Sequence, residues 1–415
     1  MLFSDDFITI DNERGQAIIG NKDKGSWLRV SVECRDILKE AIEENLTKNE
    51  ILELFQDKED RDYFEKLIEK LIEIGVITYF GMKNDSVEEF DSFEVMLTHR
   101  CNLNCIHCCV DASASSSPDF FSTTEMIEAL QKIIDCNPRN IVLTGGEPML
   151  REDFMILLKY IHDNSDADVT LMTNGTLIND DNVESIAKMV KNVDISIDGV
   201  DEDSCKAIRG PHVFDKVINA VNLLQQNMVD NISLSMVTSG INIALEKDFY
   251  ALCKKMNVIP LLRKLDYSGR ALANKTKLDS IMSVSNADLS YIEPNYDAYR
   301  DMISLSVCKA GRTSFSIEAN GDIVACSIAK VTDSVIGNIK NISDLREYLR
   351  DNGEEISISP DSVCGRCKYN RFCCSCPDLL KKMQEQEDFN EYCEWRKEWI
   401  EKVLWENYAN ERVEC

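Results

Sequence analysis

The chain has 415 residues, a formal charge of −27 and 44% hydrophobic residues, so two to four domains with sizeable cores are expected rather than an acidic disordered protein. The negative charge disfavours nucleic acids and anionic membranes as partners, because both carry the same sign of charge. No apolar run reaches the ~20 residues of a membrane span and the first residues lack signal-peptide features, so we expect a soluble cytoplasmic protein.

Residues 1–83 are expected to form a small domain of strands followed by helices. Three short apolar segments separated by turn residues predict strands; they are Phe7–Ile10, Gln16–Ile19 and Trp27–Val30. Three amphipathic patterns then predict helices, the second introduced by the capping box Thr47-Lys-Asn-Glu50 and the third ended by Gly75. With a closing strand over Val76–Phe80, this order indicates a winged-helix-like domain, and the polar residues 84–92 are expected to form a linker.

Residues 93–305 alternate between short apolar runs and amphipathic segments. The six runs are Phe93–Leu97, Asn140–Leu143, Val169–Met172, Val193–Ile197, Ile232–Val237 and Val258–Leu265. Six β-α repeats predict an α/β fold, in which a parallel sheet covered by helices is either open or partly closed into a barrel. Polar and glycine-rich residues follow the strands, which is where such folds place their chemistry.

Residues 306–393 are rich in cysteine and in turn residues. Within them, Phe315–Val324 predicts a hairpin with an Asn320-Gly321 turn, which would bring Cys308 and Cys326 together. Residues 394–415 are expected to form a terminal helix over Trp395–Tyr408.

The cysteine and histidine contents narrow the chemistry. There are 17 Cys and only four His. Disulfides are rare in the cytosol, so metal binding or catalysis is the expected use of the thiols, and iron–sulfur clusters fit better than a zinc site built on histidine. Five cysteines outside any spaced motif are expected to pack as small buried residues; they are Cys34, Cys136, Cys205, Cys253 and Cys415.

Three cysteines follow the first strand of the repeat region with the spacing Cys101-x3-Cys105-x2-Cys108. Three thiolates would bind three irons of a [4Fe–4S] cluster and leave the fourth iron open for a non-protein ligand, as in other catalytic metal sites. The alternatives are a zinc knuckle or buried free thiols. Cys109 is expected to diverge from Cys108 and pack elsewhere.

These three cysteines, together with Gly145-Gly146-Glu147-Pro148 after the second strand, resemble the radical S-adenosylmethionine (radical SAM) superfamily over residues 93–305. The resemblance implies a partial (β/α)6 barrel of the TIM type. It also implies a [4Fe–4S] cluster whose open iron is chelated by SAM, and reductive cleavage of SAM to methionine and a 5′-deoxyadenosyl radical.

The same resemblance implies that residues at the strand ends bind SAM; they are His107, Gly145, Gly146, Glu147, Pro148, Ser196, Asp198, Arg209 and Leu265. The Gly-Gly segment would approach the methionine ammonium group, with Glu147 adding a hydrogen bond and Pro148 stiffening the turn. Ser196 and Asp198 would contact the ribose. The alternatives are a tight turn for the glycines, a surface position for Arg209 and core packing for Leu265. His107 departs from the family, which usually has an aromatic residue there.

The cysteines beyond residue 306 resemble the SPASM domain, which carries two auxiliary clusters; they are Cys308, Cys326, Cys364, Cys367, Cys373, Cys376 and Cys393. By resemblance Cys308, Cys326 and Cys376 would bind the nearer cluster, and the other four the farther one, giving three [4Fe–4S] clusters in all. The family spacing falls on Pro377, so Cys374 and Cys376 are both open choices, as is a fourth ligand for the nearer cluster. A zinc ribbon is the alternative.

The N-terminal domain resembles the peptide-recognition element fused to maturases of ribosomally made peptides, which adds a leader peptide as an extra strand. A DNA-binding winged helix or a structural cap are the alternatives; acidic helices disfavour phosphate contact. The combined expectation is a radical SAM peptide maturase that forms thioether crosslinks from Cys. Its partners would be a precursor peptide with a leader and an electron donor such as flavodoxin or ferredoxin. The competing functions are carbon–carbon crosslinking or another oxidative peptide modification, a small-molecule radical SAM dehydrogenase, and a non-catalytic iron–sulfur or zinc protein.

Overall fold

The computed structural model describes residues 1–79, 90–114, 118–229, 231–279, 308–328, 335–373, 376–385 and 389–406. The chain divides into two compact units. The first contains residues 1–79 and the described residues of 357–406, with Cys308; the second contains the described residues of 90–279 and 309–356. Most of the expected linker, Cys374, Cys415 and the end of the expected terminal helix lie outside the described residues.

The strands, in chain order, are β1 (Leu2–Phe3), β2 (Phe7–Asp11), β3 (Gln16–Asn21), β4 (Trp27–Ser31), β5 (Ile77–Thr78), β6 (Ser92–Met96), β7 (Asn140–Thr144), β8 (Asp168–Thr173), β9 (Asn192–Ser196), β10 (Asn231–Thr238), β11 (Ile259–Lys264), β12 (Ser314–Ile317), β13 (Asp322–Val324) and β14 (Gly337–Asn338). The helices are α1 (Val32–Glu43), α2 (Lys48–Glu53), α3 (Lys58–Glu73), α4 (Thr123–Asp135), α5 (Phe154–Asn164), α6 (Val183–Met189), α7 (Glu202–Arg209), α8 (Phe214–Gln226), α9 (Glu246–Met256), α10 (Gly269–Ala273), α11 (Lys275–Leu278), α12 (Leu345–Asn352), α13 (Asn370–Cys373), α14 (Pro377–Gln384) and α15 (Phe389–Glu401). Within the described part of the chain, no helix is both long and apolar enough to cross a membrane.

The first unit is built on a three-stranded antiparallel sheet in the order β2-β3-β4, beside which β1 pairs with β5. The three predicted strands and the three predicted helices of this region are confirmed, including the Thr47–Glu50 capping box and the turn at Gly75, whose φ is +75°. Of the predicted closing strand Val76–Phe80, the structure contains Ile77–Thr78, and Phe80 lies outside the described residues. Residues Ala17 and Ile19 of β3 pack on the helices, whereas Ile18 between them packs on residues beyond 368. The sheet is therefore the middle of three layers.

The third layer consists of the cysteine-rich segment and the last helix. The expected terminal helix begins earlier than predicted, at Phe389, and continues as a π-helical turn over Lys402–Glu406. Cys393 thus lies on the helix instead of before it. The apolar residues that this layer turns toward the sheet are Tyr369, Phe372, Ile400, Val403, Leu404 and Trp405.

The second unit contains a nine-stranded sheet in the order β11-β10-β9-β8-β7-β6-β12-β13-β14. Strands β6 to β11 are parallel and are joined in register by neighbouring pairs such as Val95 with Leu143. The predicted six-strand parallel sheet with covering helices is confirmed, and it matches a partial TIM-type barrel. The predicted hairpin is also present as β12 and β13, with Gly321 at a φ of +92°.

The hairpin extends the parallel sheet, which the sequence did not suggest. Strand β12 pairs in parallel with β6, and Phe315 stacks on Phe93 in the core. Phe90 was placed in the expected linker, but it is 3% exposed and packs on Phe93 and Phe315. The reason is that burial of a large aromatic side chain is more favourable than its exposure in a linker. The described residues of the expected auxiliary domain over 306–393 are therefore divided: those of 309–356 lie with the barrel sheet and those of 357–393 with the N-terminal sheet.

Candidate active site

The loop after β6 carries the three closely spaced cysteines. Cys101 and Cys105 are each 8% exposed and Cys108 is partly buried. Each thiol has a hydrogen-bond donor within reach. Two donors are backbone N–H groups: that of Leu103 lies 3.4 Å from the Cys101 Sγ, and that of Ala112 lies 3.3 Å from the Cys108 Sγ. The third donor is the Arg209 side chain, whose Nη1 lies 3.9 Å from the Cys105 Sγ. Such donors stabilise negative charge on sulfur, as a cluster-bound thiolate requires.

Burial opposes ionisation of these thiols when no iron is bound. It raises the pKa of Cys101, and it raises the pKa of Cys105 to about 11 although the Arg209 guanidinium works against it. Thiols in these surroundings would have to give up their protons in order to bind iron.

Residues that follow β11 clamp the cysteine loop, and sequence reasoning missed them. Arg270 Nε donates to the Cys105 carbonyl at 2.9 Å, and Asn274 Nδ2 donates to the Ile106 carbonyl at 3.0 Å. A Cβ on Gly269 would lie 2.4 Å from the Cys109 carbonyl oxygen. The only signal in the sequence was a polar segment after the sixth strand, which has no motif.

Gly145 and Gly146 lie against the backbone that leads into the cysteine loop. A Cβ at Gly145 would stand 2.5 Å from the Thr98 carbonyl oxygen, and one at Gly146 2.3 Å from the Arg100 carbonyl oxygen. Gly145 also has a φ of +146°. These contacts require glycine at both positions, and they fix the Gly-Gly segment beside Cys101.

Glu147 connects the Gly-Gly segment to the next strand. Its side chain is fully buried and accepts hydrogen bonds from Thr173 Oγ1 and the Asn174 N–H, both at 2.8 Å, and from the Met149 N–H at 3.1 Å. Burial raises its pKa to about 6 even though these donors lower it. Both carboxylate oxygens thus bond to the chain itself, and a bond from Glu147 to SAM stays a prediction.

His107, Asp198 and Arg209 meet in one buried network. Asp198 Oδ2 lies 2.5 Å from His107 Nε2 and 2.6 Å from Arg209 Nη2, while Oδ1 accepts from the Val237 N–H. Burial raises the pKa of Asp198, but Arg209 and His107 outweigh it and bring the pKa to about 2. Asp198 is therefore ionised, and it holds Arg209 beside Cys105.

Two atoms of this network are buried without a hydrogen-bond partner among the described residues: His107 Nδ1 and Arg209 Nε. Buried polar atoms normally have partners, so these two are suited to a bound polar group. With three thiols within eight residues, the donor set fits a [4Fe–4S] cluster with a polar ligand beside it. When bound, that cluster and SAM supply a radical able to remove a hydrogen atom from carbon.

The remaining predicted SAM residues lie at the same carboxyl edge of the sheet. Pro148 begins a short 3₁₀ turn, Ser196 ends β9, and Leu265 directly follows β11. Ser196 and Leu265 are partly buried. The structure thus brings these residues to one edge, while their contacts with SAM stay predictions.

A second polar group lies nearby on β9, β10 and β11. Arg263 donates to Asp194 through Nη2 and to Ser235 Oγ through Nε at 2.8 Å, and its side chain is 42% exposed. Val193 and Ile195 pack in the helix-covered core, so Asp194 between them faces the other side of the sheet. The alternation Val-Asp-Ile-Ser in the sequence was the signal that could have identified this group.

Residues 95–253 match the family model of the radical SAM superfamily. The chain contains a radical SAM domain. It is 26% identical over 291 residues to mycofactocin maturase MftC of Mycolicibacterium smegmatis, covering 65% of this chain and 74% of that protein. It is 31% identical over 165 residues to the AdoMet-dependent heme synthase of Nitratidesulfovibrio vulgaris, covering 39% and 44%. Among solved structures, anSMEcpe with bound AdoMet and Cp18Cys peptide matches with a TM-score of 0.54 at 18% identity, over 75% of this chain and 96% of that one.

The first unit contains a cavity lined by four of the cysteines that lie beyond the radical SAM domain. They are Cys364, Cys367, Cys373 and Cys393. The empty space at this site, counted together with the open solvent at its mouth, is about 450 Å³, and its other lining residues include Tyr369, Tyr392, Lys397 and Ile400. These four thiols are the predicted ligands of the farther auxiliary cluster, and the fold places all of them on one cavity.

The other predicted auxiliary ligands are divided between the units. Cys308 and Cys376 belong to the first unit and Cys326 to the second, so their grouping stays a prediction. In the described part of the chain, no three His, Cys, Asp or Glu side chains converge as ligands of one metal ion. Thiolates of a cubane cluster bind different irons and need not converge on one point.

The cysteines outside the motifs differ in their surroundings. Cys136, Cys205 and Cys253 are buried, as expected, and Cys34 is partly buried. The expectation that Cys109 packs inside is wrong, because Cys109 is exposed. Cys109 lies in a turn in which the Asp111 N–H donates to the Cys108 carbonyl at 3.4 Å.

Proposed function

We propose that this radical SAM enzyme modifies a precursor peptide and binds it through a leader sequence. The observation that carries the proposal is the similarity to MftC, a maturase, because it extends over 291 residues and thus well beyond the matched radical SAM domain. The match to the heme synthase covers 39% of the chain and concerns the domain that such enzymes share. The anSMEcpe structure supports the same fold.

The N-terminal sheet offers a place for the leader. Within the described residues, β2 and β4 are each paired on one side only, with β3. An extended peptide can add to such an edge through main-chain hydrogen bonds. The helices beside the sheet are acidic, with Glu40, Glu43 and Glu44 exposed on and just after α1. A leader with a basic segment is therefore the expected ligand.

Two auxiliary clusters accompany the radical SAM cluster in this proposal, making three in all. The farther one is supported by the four thiols of the C-terminal cavity. For the nearer one, Cys308, Cys326 and Cys376 remain the proposed ligands. An external donor such as flavodoxin or ferredoxin would supply the electron for SAM cleavage.

Thioether formation from a substrate cysteine is the proposed reaction. Each thioether removes two hydrogens from the peptide. The carbon-bound hydrogen leaves with deoxyadenosine, and the thiol hydrogen leaves as a proton while one electron passes to an acceptor. An auxiliary cluster is suited to be that acceptor. Carbon–carbon crosslinking also removes two hydrogens per crosslink, and it is the alternative reaction.

The deciding experiment uses the anaerobically reconstituted protein with a short Cys-containing peptide encoded beside its gene. Mass spectrometry should show a loss of two hydrogens per crosslink, with a matching loss of thiols that react with an alkylating reagent. The same mass loss with all thiols intact would establish carbon–carbon crosslinking. An unmodified peptide, in the presence of active SAM cleavage, would favour the small-molecule dehydrogenase.

Leader binding is tested separately with a labelled leader peptide and the full-length protein. Glu40→Lys, Glu43→Lys and Glu44→Lys together should weaken binding, and added salt should weaken wild-type binding. The control carries the same charge change on the barrel surface, at the exposed Asp180, Asp181 and Glu184. Equal affinity in both variants and at all salt concentrations would remove the role of the acidic helix residues. No measurable binding of the labelled leader to the wild type would remove the leader-binding role.

A further inference from the structure

The N-terminal sheet and the C-terminal cysteine cavity share one hydrophobic core. On the sheet side this core contains Ile10 and Ile18, 6% and 0% exposed, with Trp27 packed at its margin. On the other side are Phe372 and Ile400, 4% and 0% exposed. All of them belong to the same compact unit.

Specific contacts join the two layers. The Trp27 ring meets the Phe372 ring edge to face, with the centroids 5.7 Å apart. Arg29 Nη1, on the same strand as Trp27, donates to the Leu404 carbonyl at 2.9 Å. An aromatic pair and a charged hydrogen bond fix orientation as well as distance.

The shared core touches the cavity itself. Cys367 and Cys373 pack against it, and Phe372 precedes Cys373 on α13. Ile400 belongs to the core and also lines the cavity. A displacement of the sheet would therefore move two of the four thiols directly.

From these contacts we propose that the N-terminal sheet is a structural wall of the C-terminal cluster site, with Ile18 and Trp27 as positioning residues for Cys367 and Cys373. The inference rests on the proposal that the four thiols hold an iron–sulfur cluster. It gives the sheet a second role, on the face that packs on the cysteine-rich layer, besides the proposed binding of a leader at its edge. Loss of packing on that face would loosen the cluster while the barrel stays intact.

Two neighbouring residues of β3 provide a matched test. Ile18 and Ile19 are both 0% exposed, but Ile18 faces the cysteine layer and Ile19 the helices. Ile→Val at either position removes one methylene group and leaves a small cavity. The two variants lose the same volume from the same strand at equally buried positions. A difference between their rates of iron release therefore shows that packing on the cysteine-layer face of the sheet matters for the cluster.

The experiment starts from the full chain with Cys101, Cys105, Cys108, Cys308 and Cys326 replaced by Ala, so that only the C-terminal cavity can hold a cluster. After reconstitution, the release of iron to excess bathophenanthroline disulfonate is followed by absorbance. Ile18→Val should accelerate release on the order of threefold to tenfold, and Trp27→Ala at least as much. Ile19→Val should release iron at a rate close to that of the parent protein. Trp27→Phe should release iron more slowly than Trp27→Ala, at a rate closer to that of the parent protein.

Equal rates for Ile18→Val and Ile19→Val would overturn the inference, since the effect would then follow general stability of the domain. If the parent itself binds no iron after reconstitution, the C-terminal cluster and this inference both fail. Iron in the parent with equal rates in the two variants leaves the cluster proposal standing and removes only the role of the sheet.

Discussion

At the scale of single residues, Gly146 sets how closely the second βα loop approaches the first. Replacing it by Ala places a Cβ 2.3 Å from the Arg100 carbonyl oxygen, so the backbone next to Cys101 must move. We expect deoxyadenosine formation by Gly146→Ala to fall about tenfold or more, because small misplacements of reacting groups are costly. The assay is reductant-driven SAM cleavage without peptide.

A suitable control for this variant is Gly15→Ala in the N-terminal domain. Gly15 has a φ of +77° but nothing within 4 Å of a Cβ, so the substitution introduces backbone strain away from the site. It should leave SAM cleavage unchanged. Wild-type cleavage by Gly146→Ala would show that the loop tolerates a wider separation.

Glu147 provides a pH-dependent test of the buried loop. Its pKa is raised from 4.5 to about 6, so the stability that it contributes is complete below pH 4.5 and is lost as the pH rises through 6. Glu147→Gln does not titrate. Between pH 4 and pH 7, the free energy of unfolding of the wild type should fall relative to the variant by about 2 kcal/mol.

Urea denaturation of the iron-free protein at several pH values measures this difference. The exposed substitution Glu128→Gln serves as the control for effects on overall charge. A difference between wild type and Glu147→Gln that stays constant with pH would contradict the raised pKa.

The sequence identified individual site residues better than it identified their contacts. His107 and Asp198 were each recognised from the position of a motif or strand, but they are 91 residues apart, and no local pattern indicates that they bond. Arg270 and Asn274 were missed because they hold backbone carbonyls, which any sequence can provide. Contacts of this kind become visible only once the fold is known.

At the scale of elements, a row of polar side chains joins the three parallel strands β7, β8 and β9. Thr170 on β8 donates to Asn140 Oδ1 and accepts from Asn192 Nδ2, both at 3.0 Å. Thr170→Val keeps the shape and removes both hydrogen bonds, so the free energy of unfolding should fall by about 1–2 kcal/mol. Thr124→Val, at an exposed position of α4, should change it by less than about 0.5 kcal/mol. Equal urea midpoints for the two variants would mean that the two hydrogen bonds of Thr170 contribute nothing to the free energy of unfolding.

The six barrel strands could be predicted because each is a short apolar run between helical patterns. The third layer of the first unit was missed, although the sequence contains a sign of it. Ala17, Ile18 and Ile19 are apolar without alternation, which indicates a strand buried on both faces. The partner of the second face could not be predicted, because it lies more than 300 residues away.

At the scale of the whole molecule, iron content separates the cluster proposals. Three four-iron clusters correspond to roughly twelve irons per chain. Replacing Cys101, Cys105 and Cys108 by Ala should remove about four of them and abolish deoxyadenosine formation. Replacing the four cavity cysteines should remove about four as well, while SAM cleavage without peptide persists.

The control replaces the buried cysteines Cys136, Cys205 and Cys253 by Ala, which changes thiols outside the motifs. It should keep the full iron content. Zinc in place of iron at the C-terminal cysteines would support a zinc ribbon there. Normal SAM cleavage after loss of Cys101, Cys105 and Cys108 would contradict the assignment of the catalytic cluster.

The central position of the N-terminal sheet has a consequence for synthesis on the ribosome. Arg29 bonds to Leu404, 375 residues later, and the outer face of β3 packs on the same late segment. At a translation rate of about 5–20 residues per second, the segment that covers this face is synthesised roughly 20 to 75 seconds after the sheet. Ile10, Ile18 and Trp27 lack their packing partners during this interval, so we expect chaperones that bind apolar strands to recognise the nascent chain. This domain is thus completed only after the late segment has been synthesised.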